Sequence, residues 1–388
     1  MISSASTKPF IAIACGGTGG HLFPGLAVAQ ALQARGCDVA LLISPKEVDQ
    51  QSVKAASGME IFTLPAVGLQ NRNYFAFAKS LWNSFRAAQK NFRHRKPDAV
   101  LAMGGFTSAP PVLAARKFGA KSFLHESNTI PGKANRFLAR LVAEAFIGFP
   151  EASSRLRAKK ISVTGTPVRP QFSEARSQKP EASRTALGLD QNLPTVLVVG
   201  GSQGARGLND LVLTALPLLA KQNWQWLHLT GAADFEKVKA AYAALSLKAA
   251  VKPFLAEMDL ALGAATACVS RSGASSLAEI AAMRVPSALV PLPTSADGHQ
   301  LTNALAFEKT GAAKLLEQNS SPEKVAAMLL ELVGDTAVRS KIQAALVQWH
   351  APNAAAVIAE NILLAISQKV SCHAGAVTAG EIKLKVVV

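Results

Sequence analysis

Cysteine, tyrosine and, over its first half, acid are scarce in this chain of 388 residues. The four cysteines, Cys15, Cys37, Cys268 and Cys372, form no CxxC pair. That excludes a disulfide framework and a finger-type zinc site, and predicts reduced thiols used for packing in a cytoplasmic protein. No stretch approaches the roughly 18 consecutive apolar residues of a spanning helix. The uncharged run 99–115 is interrupted by Gly104-Gly105 and Pro110-Pro111. The opening "MISSASTKPF" lacks the apolar centre of a secretion signal.

The shortage of acid is local. Up to Val168 there are 21 basic and 8 acidic residues, whereas the rest has 20 and 17. So most of the net charge of +16 lies in the first half and implies an anionic partner there. With 49% apolar and 17% charged residues, the chain can build two ordinary domains rather than remain disordered.

Apolar runs alternate with helix-period segments, the pattern of parallel sheets covered on both faces. Strands are expected at 10–14, 38–44, 99–104, 121–126, 144–149 and 161–165. After a Ser/Pro-rich stretch the pattern restarts at 195–200, 225–231, 249–254, 267–273, 287–293 and 312–317. The expected organisation is a first Rossmann-like domain over 1–168, a linker over 169–193 and a second domain over 194–345. A C-terminal helix over 346–368 and a tail over 369–388 follow. Each domain opens on a glycine turn: "IAIACGGTGGH" in the first, "VLVVGGSQGAR" in the second. In open α/β sheets such turns lie where ligands bind.

Two common phosphate motifs fail. A P-loop needs Lys after its last glycine, where His21 stands; a dinucleotide fingerprint needs Gly where Leu22 stands. The second strand ends "LLISPK", without the acid that would bind a ribose there.

Seven segments in order then carry a resemblance: "GGTGGHLFP" (16–24), "GGFTSAP" (104–110), "HESN" (125–128), "GTPVR" (165–169), "GGSQGARGLND" (200–210), "SRSGASSLAEIAA" (270–282) and "PLPTSADGHQLTNA" (291–304). The chain resembles the bacterial UDP-N-acetylglucosamine–N-acetylmuramyl-(pentapeptide) pyrophosphoryl-undecaprenol N-acetylglucosamine transferases, the MurG type, from about Lys8 to Ala365. It departs from the family's commoner residues at Phe106, Ser127, Thr166 and Gly298.

The resemblance implies a GT-B fold, two Rossmann-like parallel-sheet domains facing across a cleft. It also implies inverting transfer of GlcNAc from UDP-GlcNAc to the MurNAc 4-hydroxyl of lipid I, giving lipid II, at the cytoplasmic face of the membrane. UDP-GlcNAc would meet Thr18, Gly19, Gly20, Asn128, Arg169, Ser202 and the main chain near Leu255. It would also meet the helix start Ala274, Ser275, Ser276, Leu277, Ala278 and Glu279, and Gln300, with His299 supporting. Backbone N–H groups at a helix start suit a diphosphate, and the two oxygens of Glu279 suit a ribose diol. His21 is the candidate base for the acceptor hydroxyl, with Glu126 its rival.

Plainer roles stay open. Ser276 and Glu279 match a capping box, Ser202 a turn serine, Leu255 a core residue and Arg169 an interdomain ion pair. Gln300 matches a helix-start residue, His21 a packing histidine and Glu126 a structural carboxylate. No Asp-x-Asp pair is present to hold a divalent ion on a nucleotide-sugar diphosphate, so no required metal or other cofactor is expected.

The segment 69–98 belongs to a stretch with no acid between Glu60 and Asp98, and it holds seven basic residues. On a helix, Ala78, Trp82, Phe85 and Phe92 fall in one sector and Lys79, Arg86, Lys90 and Arg93 beside it. With Arg72 and Phe75, this suits an interfacial helix on an anionic membrane; the plain alternative is a core-facing helix with a solvated basic edge. No recognised motif points to nucleic acid. Rival functions are a transferase with another lipid or metabolite acceptor, a UDP-GlcNAc 2-epimerase-like enzyme and a nucleotide-sugar sensor. The epimerase leaves the basic segment without a purpose, and the sensor has no need of His21.

Overall fold

A computed structural model describes residues 8–17, 19–46, 49–50, 58–65, 73–201 and 204–378. Among these residues two all-parallel sheets form, as the strand pattern and its restart require. The first has seven strands: β1 (Phe10–Ala14), β2 (Asp38–Ile43), β3 (Glu60–Thr63), β4 (Ala99–Ala102), β5 (Lys121–Glu126), β6 (Glu144–Ile147) and β7 (Ile161–Val163). The second has six: β8 (Thr195–Val199), β9 (Gln225–Leu229), β10 (Ala249–Lys252), β11 (Ala267–Ser270), β12 (Ser287–Leu289) and β13 (Lys314–Leu315).

Their orders are β3-β2-β1-β4-β5-β6-β7 and β10-β9-β8-β11-β12-β13. Both reverse direction beside the first strand, between β1 and β4 and between β8 and β11. This is the crevice where open α/β sheets bind ligands. The pairing β1–β4 sets the first glycine turn beside "GGFTSAP", and β8–β11 sets the second beside "SRSG". The GT-B expectation therefore holds, and the sequence motifs converge because they end neighbouring strands.

Strand β3 has no counterpart among the expected strands. It is a four-residue edge strand, mostly exposed, so it needs no continuous apolar run. The segment expected as a linker carries helices Pro170–Ser177 and Pro180–Ala186, each with proline in its first turn. Phe172 and Ala175 join the core of the second domain. The last helix, Ala354–Thr378, packs back on the first domain, with Ile358, Ala359 and Ile362 buried against the layer beneath the Gly19–Gln33 helix.

Candidate active site

The first glycine turn is held from below. Gly16 lies so close to the β2 end that a Cβ would stand 2.3 Å from the Ser44 nitrogen. Asp49, buried, accepts from the Gly17 N–H at 2.7 Å, the Ser44 N–H at 3.1 Å and the Ser44 hydroxyl at 2.5 Å. Gly19 and Gly20 then open the Gly19–Gln33 helix, and His21 follows in its first turn. Thr18 and, in the second turn, Ser202 lie outside the described residues.

His21 rests on the backbone of Gly104 and Gly105. A Cβ on Gly104 would come within 2.9 Å of the imidazole Nε2, and one on Gly105 within 3.1 Å of Cε1. Both glycines have positive φ, +114° and +75°, which side-chain-bearing residues rarely adopt. Thr107 and Ser108 tie this platform to the first turn by donating to the Gly16 and Ala14 carbonyls. Burial lowers the His21 pKa below 6.5; the charges of Glu126 and Asp49 oppose this only in part. The imidazole is thus neutral at neutral pH, the form that accepts a proton.

Glu126 is differently placed. Its carboxylate accepts from the Asn128 N–H and side-chain amide at 2.9 and 3.1 Å, the Gly132 N–H at 3.0 Å and the Asn135 amide at 2.9 Å. Three donors in the loop that follows β5 and one from the Lys133–Leu138 helix occupy it, the arrangement of a carboxylate that holds loop to helix.

In the second domain the Ala274–Met283 helix starts after Gly273, so Ser276 is its third residue and not its cap. The capping box with Glu279 is therefore not formed. The first-turn N–H groups of Ala274, Ser275 and Ser276 have no partner within the helix. Just beyond, Leu277 and Glu279 are buried, Leu277 in the core, while Ala278 is half-buried. Glu279, only 9% exposed, has its carboxyl pushed up to about 7 by burial, against the pull of Arg169. The Arg169 Nη2 stands 3.9 Å from it, an ion-pair distance without a hydrogen bond. The Arg169 guanidinium stacks on Phe23 at 4.4 Å and Phe172 at 5.3 Å. Among the described residues its buried Nε and Nη2 have no hydrogen-bond partner, so two N–H-bearing nitrogens stand beside Glu279 with room for an acceptor.

Asn303 joins the domains. Its side-chain oxygen accepts from the Thr129 N–H and hydroxyl at 3.0 and 2.9 Å; its amide donates to Asn128 Oδ1 and the Ser272 carbonyl at 3.0 and 3.1 Å. Through Asn303, on the His299–Lys309 helix, Asn128 of the first domain is thus linked to Ser272, just before the Ala274–Met283 helix of the second. Gln300 accepts from the Leu292 N–H at 3.0 Å through its side chain, and its carbonyl accepts from the Ser272 hydroxyl at 2.7 Å. His299 binds the Ala296 carbonyl through Nδ1 at 2.7 Å and is near enough to His21 to depress its pKa. Leu255 is half-buried against the second core. Phe23, Asp49 and Asn303 escaped sequence reasoning: an apolar side chain, an isolated acid and a helix amide carry no spacing signal, though Phe23 and Asn303 stand inside quoted motifs. Among the described residues no group of three metal-binding side chains gathers.

The acid-free segment forms the Tyr74–His94 helix, with Arg72 outside the described residues. Its buried row is Ser80, Ser84, Ala88 and Phe92. Successive four-residue steps rotate this row by about 40°, so it spirals into the expected apolar sector at its end. That sector is consequently split. Trp82 is 56% exposed, and Ala78 is exposed, whereas Phe85 is half-buried under Trp82 and Phe92 belongs to the core. Phe75, 83% exposed, extends the outer face beside Lys79, Arg86, Lys90 and Arg93, all exposed. No helix among the described residues is long and apolar enough to cross a membrane.

The comparisons agree with this geometry. Residues 11–147 match the glycosyltransferase family 28 N-terminal domain and 195–362 its C-terminal domain. A UDP-N-acetylglucosamine–N-acetylmuramyl-(pentapeptide) pyrophosphoryl-undecaprenol N-acetylglucosamine transferase of Listeria welshimeri is 34% identical over 91% of this chain and 98% of its own. The protein of the same name from Halorhodospira halophila is 39% identical over 84% and 89%. The crystal structure of Acinetobacter baumannii MurG superposes with a TM-score of 0.70 at 28% identity, covering 92% of this chain and 99% of that one. With its two glycine turns and both family domains in place, the chain belongs to glycosyltransferase family 28 and, within it, to the MurG-type N-acetylglucosamine transferases.

Proposed function

We propose that the protein transfers GlcNAc from UDP-GlcNAc to the 4-hydroxyl of MurNAc in undecaprenyl-pyrophosphoryl-MurNAc-pentapeptide, releasing UDP and lipid II. The observation that carries this reading is the meeting of His21, neutral on its glycine platform, with the second domain: its helix packs on the Ala274–Met283 helix. The acceptor oxygen attacks the anomeric carbon as its proton passes to His21 Nδ1 or Nε2. The bond to the UDP oxygen breaks in the same displacement, so the α-linked sugar becomes β-linked.

The negative charge gathering on the departing diphosphate is met by the N–H groups of Ala274, Ser275 and Ser276 and by Arg169. Ser202 adds a hydroxyl, and the Leu255 backbone reads the uracil edge. Glu279 holds the ribose hydroxyls; Asn128 and Gln300 hold the sugar, each amide both donating and accepting. His21 is preferred to Glu126 because four donors already occupy the carboxylate of Glu126. With donors of this kind on the diphosphate, the reaction needs no metal.

The protein works as a peripheral enzyme at the cytoplasmic membrane face. Phe75 and Trp82 enter the interface, and Lys79, Arg86, Lys90 and Arg93, with Arg72, meet anionic headgroups; Phe85 supports Trp82 from beneath. The test is to incubate the protein with UDP-GlcNAc and a lipid I analogue and follow UDP release and disaccharide formation. Hydrolysis or epimerisation of UDP-GlcNAc without disaccharide would refute the reading.

A further inference from the structure

Beneath the second glycine turn lies a buried polar chain that the reaction above does not use. Tyr242, His228, Asn209 and Asp234 are all buried. The Asn209 amide nitrogen donates to the Thr230 carbonyl at 3.0 Å and to Asp234 Oδ2 at 2.8 Å. A carbonyl can only accept, so the orientation of this amide is fixed. Its Oδ1 must then accept from His228 Nε2, 3.1 Å away. That makes His228 the Nε2–H tautomer, and its bare Nδ1 accepts from the Tyr242 hydroxyl at 3.1 Å. Burial pushes the His228 pKa down to about 3 and the Tyr242 pKa up, so neither group ionises near neutrality. Every hydrogen bond runs one way, from Tyr242 towards Thr230.

Thr230 is where this chain meets the donor side. A Cβ on Gly204, in the second glycine turn, would stand 2.3 Å from the Thr230 carbonyl oxygen and 2.7 Å from the Gly231 Cα. The turn therefore rests on the Thr230–Gly231 backbone. The same two residues donate their N–H groups to the Lys252 and Pro253 carbonyls at 3.0 and 3.1 Å, just before Leu255. Asn209 itself sits in the first turn of the Arg206–Leu219 helix that the glycine turn opens. The Thr230–Gly231 backbone thus lies between the second glycine turn and the segment that leads to Leu255, and Asn209 holds the carbonyl at its centre.

We propose that Asn209 is a positioning residue for the donor nucleotide, locked by His228 and Tyr242, which holds the phosphate turn and the uracil segment at the spacing UDP requires. This rests on the assignment of those two segments to UDP. Loss of the Asn209 amide leaves the Thr230 carbonyl unpaired and free to shift under Gly204. The first domain, which takes the acceptor, is untouched.

The test compares wild type with Asn209→Leu, His228→Leu, His228→Gln and Tyr242→Phe. UDP affinity is measured by calorimetry; KM for each substrate, kcat and the melting temperature are measured alongside. Asn209→Leu is expected to raise the UDP dissociation constant and the donor KM roughly tenfold, the scale of one buried hydrogen bond lost, with kcat and acceptor KM within about twofold. His228→Leu should do the same. His228→Gln retains an N–H for Asn209 Oδ1 and should restore donor KM, and Tyr242→Phe should shift it only slightly. If Asn209→Leu does not fold, the two His228 variants carry the comparison. A fall in melting temperature with donor KM unchanged overturns the proposal, as does a His228→Gln variant no better than His228→Leu. A wild type that binds no UDP overturns the donor assignment itself, and this inference with it.

Discussion

The two glycine turns share a pattern and diverge in use. Each joins the first strand of a sheet to a helix at a point where strand order reverses. In the first, the turn leans on β2 and Asp49, and its helix begins early enough to place His21 in the first turn. In the second, the turn folds against Ala205, the residue that caps its helix, and against Thr230–Gly231, and the helix begins at Arg206. The first presents a titratable side chain on a glycine platform; the second presents backbone beside a helix start and a buried acid. A motif therefore specifies a turn, while its neighbours in the sheet specify the chemistry.

That division is open to direct attack. The largest effect is expected from His21→Ala, which removes what only the first turn has. Loss of a positioned base should lower kcat by about 10²–10⁴-fold, with UDP affinity unchanged by calorimetry. A variant with near-normal turnover would move the base elsewhere. Gly104→Ala should give a smaller loss of the same kind, about a hundredfold in kcat, because its Cβ must displace the imidazole. Normal turnover in that variant would mean that the platform does not aim His21.

The second region should answer on affinity instead. Glu279→Gln is expected to weaken UDP-GlcNAc binding by about 1.5–3 kcal/mol, the worth of a hydrogen bond to a charged group. The wild-type carboxyl titrates near 7 when folded, against 4.5 ordinarily. The folded state therefore holds an extra proton between about pH 4.5 and 7, and stability contributed by this group is lost as pH rises through that window. Donor affinity should run the other way and rise with pH through about 7, since the ribose hydroxyls donate to the ionised form. Melting and titration series on both proteins check the pair of slopes; identical slopes in the variant would remove Glu279 from the ribose.

Smaller still, and confined to the first domain, is the effect of Arg86→Gln with Lys90→Gln. At about 1 kcal/mol for each cation near an anionic surface, the pair should weaken vesicle binding by about 2 kcal/mol and leave turnover on a water-soluble lipid I analogue intact. Co-sedimentation with anionic vesicles measures it, and equal binding by both proteins would return the helix to a solvated face. The least effect is expected from a chelator: full activity in EDTA agrees with diphosphate held by helix N–H groups, and loss restored by a divalent ion would contradict it.

Periodicity, the glycine turns and the order of seven motifs made the two sheets and the family legible without coordinates. Those signals are local: a buried parallel strand must be apolar, and a tight turn must be glycine. The edge strand β3 and the helices at 170–186 were not legible, because an exposed edge needs no apolar run and proline marks helix starts as readily as loops. What only tertiary structure decided is which groups share an environment. Burial made His21 neutral and Glu279 hard to ionise, four donors from the loop and helix after β5 occupied Glu126, and a drifting buried row took Phe92 from the outer stripe of the basic helix. Desolvation and hydrogen-bond partners come from residues distant in the chain, so sequence could name these groups but not their state.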